Sequence, residues 1–296
     1  MAVLLILTGC SPGSGGNGAS VSAPDATDPE DISRTGAGDA PSERADGLPG
    51  DARPHPECTL TLAELQELVS SQPEEIQRRI LSEPAVFLEY ARQLLSWDSP
   101  LLARVDKQTA LPADYVPDDL IPLDRYGSQL ILNREGLSLR AVIMPDLLAM
   151  VEAARQDGIQ LDISSSYRSY DYQENLFEYW TTELGLEEAE RVSARAGTSQ
   201  HQLGTAIDFG SITPAFAEHP AGMWLANHAG EFGFSLSYPE GYEEITGYSY
   251  EPWHFRWITR EGAHVEARYF GGIQQHFLEF WAQSEDALRE TCTGRS

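Results

Sequence analysis

The sequence predicts an α+β fold: a mainly antiparallel central sheet flanked by helices, preceded by a helical extension. Three observations carry this. Apolar residues recur at helical spacing between Leu60 and Leu102. Beyond residue 125, short β-rich runs alternate with amphipathic stretches. Residues 11–56 are rich in Gly, Ser, Pro, Ala and Asp and poor in the aromatic and β-branched residues that a core needs.

In chain order, residues 1–10 read as a lipoprotein signal segment. The apolar run from Ala2 to Leu7 ends in Leu7-Thr8-Gly9-Cys10, which resembles a bacterial lipobox with Cys10 as the lipidated residue. The run is short and no Lys or Arg precedes it, which fits a start inside a longer signal peptide. Residues 11–56 then form a flexible tether, because such a composition cannot offset its ordering entropy. Residues 57–105 are the helical extension, with Leu62, Leu65, Leu68 and Val69, then Ile76 and Ile80, then Phe87, Ala91, Leu94 and Leu95 on apolar faces. Thr61 and Glu64 make a capping box, and no chemistry is evident there.

Residues 106–296 form the catalytic domain. A loop rich in proline and aspartate leads to a hairpin with strands at 129–132 and 137–140. A helix spans 144–156, with Pro145 near its start and Asp157-Gly158 closing it, and a strand follows at 159–164. Helices are expected at 170–183, 187–194 and 224–232, the last ended by Gly233 before a strand at 234–237, and a C-terminal helix closes the chain. There is no internal repeat, and no other stretch approaches the roughly 20 apolar residues of a membrane span.

Chemistry concentrates in Ser199-Gln200-His201-Gln202-Leu203-Gly204-Thr205-Ala206-Ile207-Asp208 and in Glu251-Pro252-Trp253-His254. A catalytic zinc takes three nitrogen or oxygen ligands and keeps one position for water. His201, Asp208 and His254 can fill the three positions. Gly204 permits a tight turn, after which 205–209 reads as a buried strand presenting Asp208 inward. Proline and the aromatic run that follows favour an extended chain, placing Glu251 just off the strand that carries His254, where it can serve as general base. Trp253 and Trp257 read as core or groove wall. A two-His-one-carboxylate iron oxygenase site fits less well, since seven positions separate His201 from Asp208 and such a site has no use for Glu251.

The pattern Ser-x-His-x-x-Gly-x-Ala-x-Asp followed by Glu-x-Trp-His resembles the VanY-type D-alanyl-D-alanine carboxypeptidases, zinc peptidases related to lysostaphin and hedgehog. Ser164-Ser165-Ser166-Tyr167-Arg168-Ser169 and Arg195-Ala196-Gly197-Thr198-Ser199 extend the likeness, which covers roughly residues 125–275. The resemblance implies that His201, Asp208 and His254 bind zinc, that Glu251 is the catalytic base, and that Arg168 grips the terminal carboxylate of the substrate. It also implies that Gln173 and Ser199 line the substrate pocket. Ser165 or Ser166 stands where the family commonly has glycine, and Ala196 where it commonly has proline; neither touches the metal.

Three cysteines are present. With Cys10 lipidated, Cys58 and Cys292 remain and can pair outside the cytoplasm. The formal charge of −26 argues against nucleic acid as a partner. The spare histidines His55, His219, His228, His264 and His276 have no matched partner, and only His228 and His264 merit attention as pocket neighbours. The expected protein is therefore an exported monomer, lipid-anchored to the cell envelope on its periplasmic or extracellular face. It would use Zn2+ to remove the terminal D-alanine from peptidoglycan stem peptides. An L,D-carboxypeptidase, a peptidoglycan endopeptidase or a non-catalytic wall-binding module on the same fold are the alternatives.

Overall fold

The computed structural model describes residues 49–293. The expected signal segment with Cys10, and the tether as far as residue 48, lie outside the described residues. Residues 49–56 do not continue as a tether: Ala52 N–H donates to the Pro49 carbonyl (2.9 Å), and the Ala52 and Gly50 carbonyls accept from Leu62 (2.8 Å) and Ala63 (2.9 Å). The start of the first helix thus hydrogen-bonds this segment into turns.

Helix α1 (Leu62–Val69) opens on the expected capping box, with Glu64 N–H donating to Thr61 Oγ1 and Thr61 N–H donating to Glu64 Oε2. Helices α2 (Glu74–Ser82) and α3 (Pro84–Leu94) follow. Next come β1 (Leu120–Pro122), β2 (Ile131–Leu132), β3 (Ser138–Arg140), α4 (Met144–Gln156), β4 (Asp162–Ser165), α5 (Tyr170–Leu184) and α6 (Leu186–Val192). The chain continues through β5 (Ala206–Phe209), α7 (Pro220–His228), β6 (Phe234–Leu236), α8 (Glu243–Thr246), β7 (His254–Trp257), α9 (Arg260–Tyr269) and α10 (Gln274–Cys292).

The central sheet has the order β2-β4-β5-β7-β6 and is antiparallel except where β2 runs parallel to β4. This is the expected α+β arrangement. The expected hairpin is not formed: β3 pairs with β1, while β2 joins β4. β2 and β3 are only two and three residues long, so flanking hydrogen bonds help to set their neighbours. Asn133 N–H donates to Ile163 O and extends the β2–β4 pairing, and Leu123 N–H donates to Leu137 O and extends the β1–β3 pairing, both at 2.9 Å.

Two apolar cores result. One lies between the sheet and α4 and α7, and includes Ile207, Phe209, Phe255, Trp257, Leu147 and Met150. The other joins the extension to the C-terminal helices: Leu65, Ile80 and Phe87 pack with Tyr269, Phe277 and Phe280, and Phe87 meets Tyr269 edge-on at 5.1 Å. A disulfide between Cys58 and Cys292 closes this core, with Cα atoms 4.1 Å apart. In the middle of β7, Arg256 is fully buried, and its Nη2 donates to the carbonyls of Leu101 (3.0 Å) and Ala103 (2.8 Å). No helix among the described residues is long and apolar enough to cross a membrane.

Candidate metal centre and active-site cleft

The sheet register assembles the centre. β5 and β7 are neighbours, and Asp208 stands directly opposite His254. His201 arrives from a short 3₁₀ turn (Gln200–Leu203) whose first N–H groups are capped by Ser199, the His201 N–H donating to Ser199 Oγ at 3.3 Å. Gly204 ends that turn in the left-handed region (φ 71°), where a Cβ would lie 3.0 Å from Arg140 and from Leu120. The chain can therefore reverse straight into β5 and keep His201 beside Asp208.

His201, Asp208 and His254 are all buried, and their ligand atoms lie within 4.8 Å of one another. His201 Nδ1 is 2.7 Å from the Ser166 carbonyl. A carbonyl can only accept, so Nδ1 carries the hydrogen and Nε2 carries a lone pair. That lone pair faces Asp208 Oδ2 at 3.2 Å without making a hydrogen bond. Two electron-rich atoms held that close, away from water, fit a cation between them. Two imidazole nitrogens and one carboxylate, with room for a fourth ligand in an open cleft, match the donor set of a catalytic zinc; hard cations that take six or more oxygens fit poorly.

The electrostatics agree. Burial, with the nearby Arg168 charge, lowers the His201 pKa to about 4, so the ring is neutral at physiological pH. Burial works against the Asp208 charge, but the positive charge that His201 and His254 can take up, and the bonds they can then donate, overcome it and hold the carboxyl well below its usual range. Glu251 is the opposite case: burial pushes its carboxyl well above the usual range, the Asp208 charge adds to the push, and Arg168 opposes it.

Glu251 reaches the centre by a route other than the expected one. Residues 252–253 turn rather than extend, with His254 N–H donating back to Glu251 O at 3.1 Å. This brings the Glu251 carboxylate to 3.7 Å from His254 Nδ1, inside the cleft. Arg168 also lines the cleft; its Nη2 donates to Asp208 Oδ2 at 3.3 Å and its Nη1 to Gln173 Oε1 at 2.9 Å. Ser199 lines the cleft. Gln173 does not: it is buried behind Arg168 and donates to the Ala194 carbonyl at 2.7 Å, so it braces the guanidinium.

Trp253 forms cleft wall and Trp257 core, while His228 and His264 lie off the cleft, against Trp224 and Tyr90 respectively. Sequence reasoning missed Tyr238, Tyr248, Trp180 and Arg134 in the cleft wall. No spacing marks them, because they come from separate loops and helices. Burial raises the pKa of both Tyr238 and Tyr248, so each keeps its O–H at neutral pH.

Residues 136–260 match the VanY family model, described as D-alanyl-D-alanine carboxypeptidase. The putative carboxypeptidase YodJ of Bacillus subtilis (strain 168) is 36 % identical over 172 residues, 56 % of this chain and 62 % of the relative. Among solved structures, the LdcB LD-carboxypeptidase is 32 % identical with a TM-score of 0.55, over 62 % of this chain and 88 % of that one. A zinc-bound mutant of the vancomycin-resistance D,D-pentapeptidase VanY is 30 % identical with a TM-score of 0.51, over 61 % of this chain and 99 % of that one. The chain spans about three fifths of the length of the curated relatives it matches.

Proposed function

The chain belongs to the VanY-type D-alanyl-D-alanine carboxypeptidases, and on that premise we propose that it is a zinc-dependent D,D-carboxypeptidase acting as a monomer on peptidoglycan stem peptides. One observation supports this most: two histidines and Asp208 converge on a single point in a cleft that also holds a proton-avid Glu251 and the fork of Arg168.

Zinc held by His201, Asp208 and His254 would polarise the scissile carbonyl and bring the pKa of a water to about 7. Glu251 accepts the proton of the attacking water and returns it to the leaving amine. Arg168 presents its guanidinium to the substrate's terminal carboxylate, so that only the last peptide bond reaches Glu251. Gln173 fixes the guanidinium from behind. Tyr238 and Tyr248 remain O–H donors in the wall, available to peptide carbonyls.

The test is zinc analysis of the purified chain together with digestion of a stem pentapeptide ending in D-alanyl-D-alanine, read by mass spectrometry. About one zinc per chain and release of one D-alanine are expected. No zinc, or an untouched pentapeptide, would overturn the reading. The likeness to the LdcB LD-carboxypeptidase favours a second reading, in which the tetrapeptide with its L,D bond is the preferred substrate; the same digestion on both peptides separates the two.

We further propose that the chain works outside the cytoplasmic membrane, anchored by lipid on Cys10 through residues 11–48. The lipobox-like Leu7-Thr8-Gly9-Cys10 and the Cys58–Cys292 disulfide support this. Fractionation tests it: Cys10→Ala should move the protein from membranes to the soluble exported fraction, and unchanged membrane association would contradict the anchor.

A further inference from the structure

His254 offers two ring nitrogens, and the structure contains a device that chooses between them. Its Nδ1 lies 3.0 Å from Asp208 Oδ1, on the metal side, and its Nε2 lies 3.2 Å from Gln200 Oε1, on the protein side. Gln200 is 3 % exposed, and its Nε2 donates to Gln274 Oε1 at 3.0 Å. Gln274, on α10 and 1 % exposed, donates from its own Nε2 to the backbone carbonyl of Ser235 at 3.3 Å. Ser237 Oγ, also buried, donates to Gln200 Oε1 at 2.7 Å.

The orientation of every group in this chain follows from its far end. The Ser235 carbonyl can only accept, so the Gln274 group facing it is the NH2 and the other end of that amide is the oxygen. An oxygen facing Gln200 requires the Gln200 NH2 in turn, which leaves the Gln200 oxygen facing His254. Nε2 of His254 must then carry the ring hydrogen, and Nδ1 is left with its lone pair towards Asp208. Reversing any one amide would set two donors or two acceptors against each other in a dry interior, at a cost set by unmade buried hydrogen bonds.

We propose that Gln200 and Gln274 are positioning residues that fix His254 as an Nδ1 ligand, with the Ser235 carbonyl as the reference point. His201 is set the opposite way, as an Nε2 ligand, by the Ser166 carbonyl. The two rings therefore present different nitrogens to one metal, each dictated by a main-chain oxygen, directly in one case and through two amides in the other. The inference rests on the zinc reading above, and it adds that the C-terminal helix α10 takes part in building the site. Glutamine suits the relay because a single amide accepts from His254 while donating to Gln274; neither a carboxylate nor an apolar side chain does both.

The test uses the full chain. In the zinc-loaded parent, long-range 15N–1H correlation spectra should show His254 protonated at Nε2 and His201 at Nδ1. A proton on Nδ1 of His254 would overturn the relay, whatever the variants do. Gln200→Met keeps the volume and removes the acceptor; zinc affinity by chelator competition should fall about 10- to 100-fold while circular dichroism and the disulfide stay unchanged. Gln200→Glu, which keeps an acceptor towards His254 but loses the donor towards Gln274, should recover part of that loss. Gln274→Met, whose side chain does not reach the metal ligands, should weaken zinc binding in the same direction. A folded Gln200→Met chain that holds zinc within twofold of the parent would refute the proposal. A parent that binds no zinc at all would instead defeat the functional reading beneath it.

Discussion

Replacing Glu266 by Gln should flatten the loss of stability that this protein suffers between weakly acidic and weakly alkaline pH. Glu266, on α9, is 5 % exposed; Ser235 Oγ donates to its Oε1 at 2.8 Å, and no cation pairs with it among the described residues. Burial pushes its pKa to about 8, with the Ser235 hydrogen bond pulling slightly back, against an ordinary value of 4.5. In that interval the folded chain keeps a proton that the unfolded chain has released. Each rise in pH then favours unfolding, by at most about 1.4 kcal/mol per pH unit. Stability that is fully present below pH 4.5 is lost by about pH 8, and the total is on the order of 5 kcal/mol. Urea denaturation of parent and variant at intervals from pH 4 to 9 measures it. The two should be close near pH 4.5, and the variant should gain on the parent by several kcal/mol at pH 8.5. A difference between the curves that does not change with pH would refute the argument.

Glu251→Gln should leave zinc bound while turnover falls by at least about a hundredfold; near-normal turnover would remove it as the base. Arg168→Lys should be badly impaired, with the barrier raised by a few kcal/mol, because a point charge cannot reproduce the fork. The paired substrate measurement compares a peptide acid with its C-terminal amide, and equal cleavage of both would mean that the terminal carboxylate is not read. Loss of the Cys58–Cys292 bridge opens a loop with a sequence separation of 234 residues, worth about 5 kcal/mol by chain entropy and roughly 2–5 kcal/mol in practice. Chemical denaturation of a Cys58→Ala, Cys292→Ala chain checks this, and an unchanged midpoint would contradict it.

The metal ligands were legible because their chemistry requires particular side chains at fixed distances along the chain: an imidazole, a tight turn at Gly204 and a carboxylate on the next strand. The capping box and the bounds of α4 were legible for a similar reason, since both follow from local hydrogen bonding and period. What escaped depends on distant partners. β2 and β3 looked like a hairpin because sequence neighbours usually pair, yet each found its partner more than fifteen residues away. Gln200 and Gln274 are ordinary in sequence, and only the place of the first residue of α10 beside Ser235 on β6 brings them together. Gln173 shows the same limit: its motif position told that it belonged near the substrate, but not that Arg168 would stand between them.

The buried guanidinium of Arg256 bears on how small an active version of this protein can be. Burial lowers its pKa to about 10, so it remains charged at physiological pH, and among the described residues no carboxylate pairs with it. Its hydrogen-bond acceptors are two main-chain oxygens, at Leu101 and Ala103, in the last stretch of the extension after α3. Those two oxygens are in effect the solvation shell of a charge on the strand that carries His254. A chain cut back to residue 106, where composition would suggest the catalytic part begins, would remove both acceptors of that charge and open the covered strand beside the site to water, at a cost on the order of several kcal/mol. The extension therefore belongs to the smallest piece that can hold the centre together, although it contributes no side chain to the chemistry.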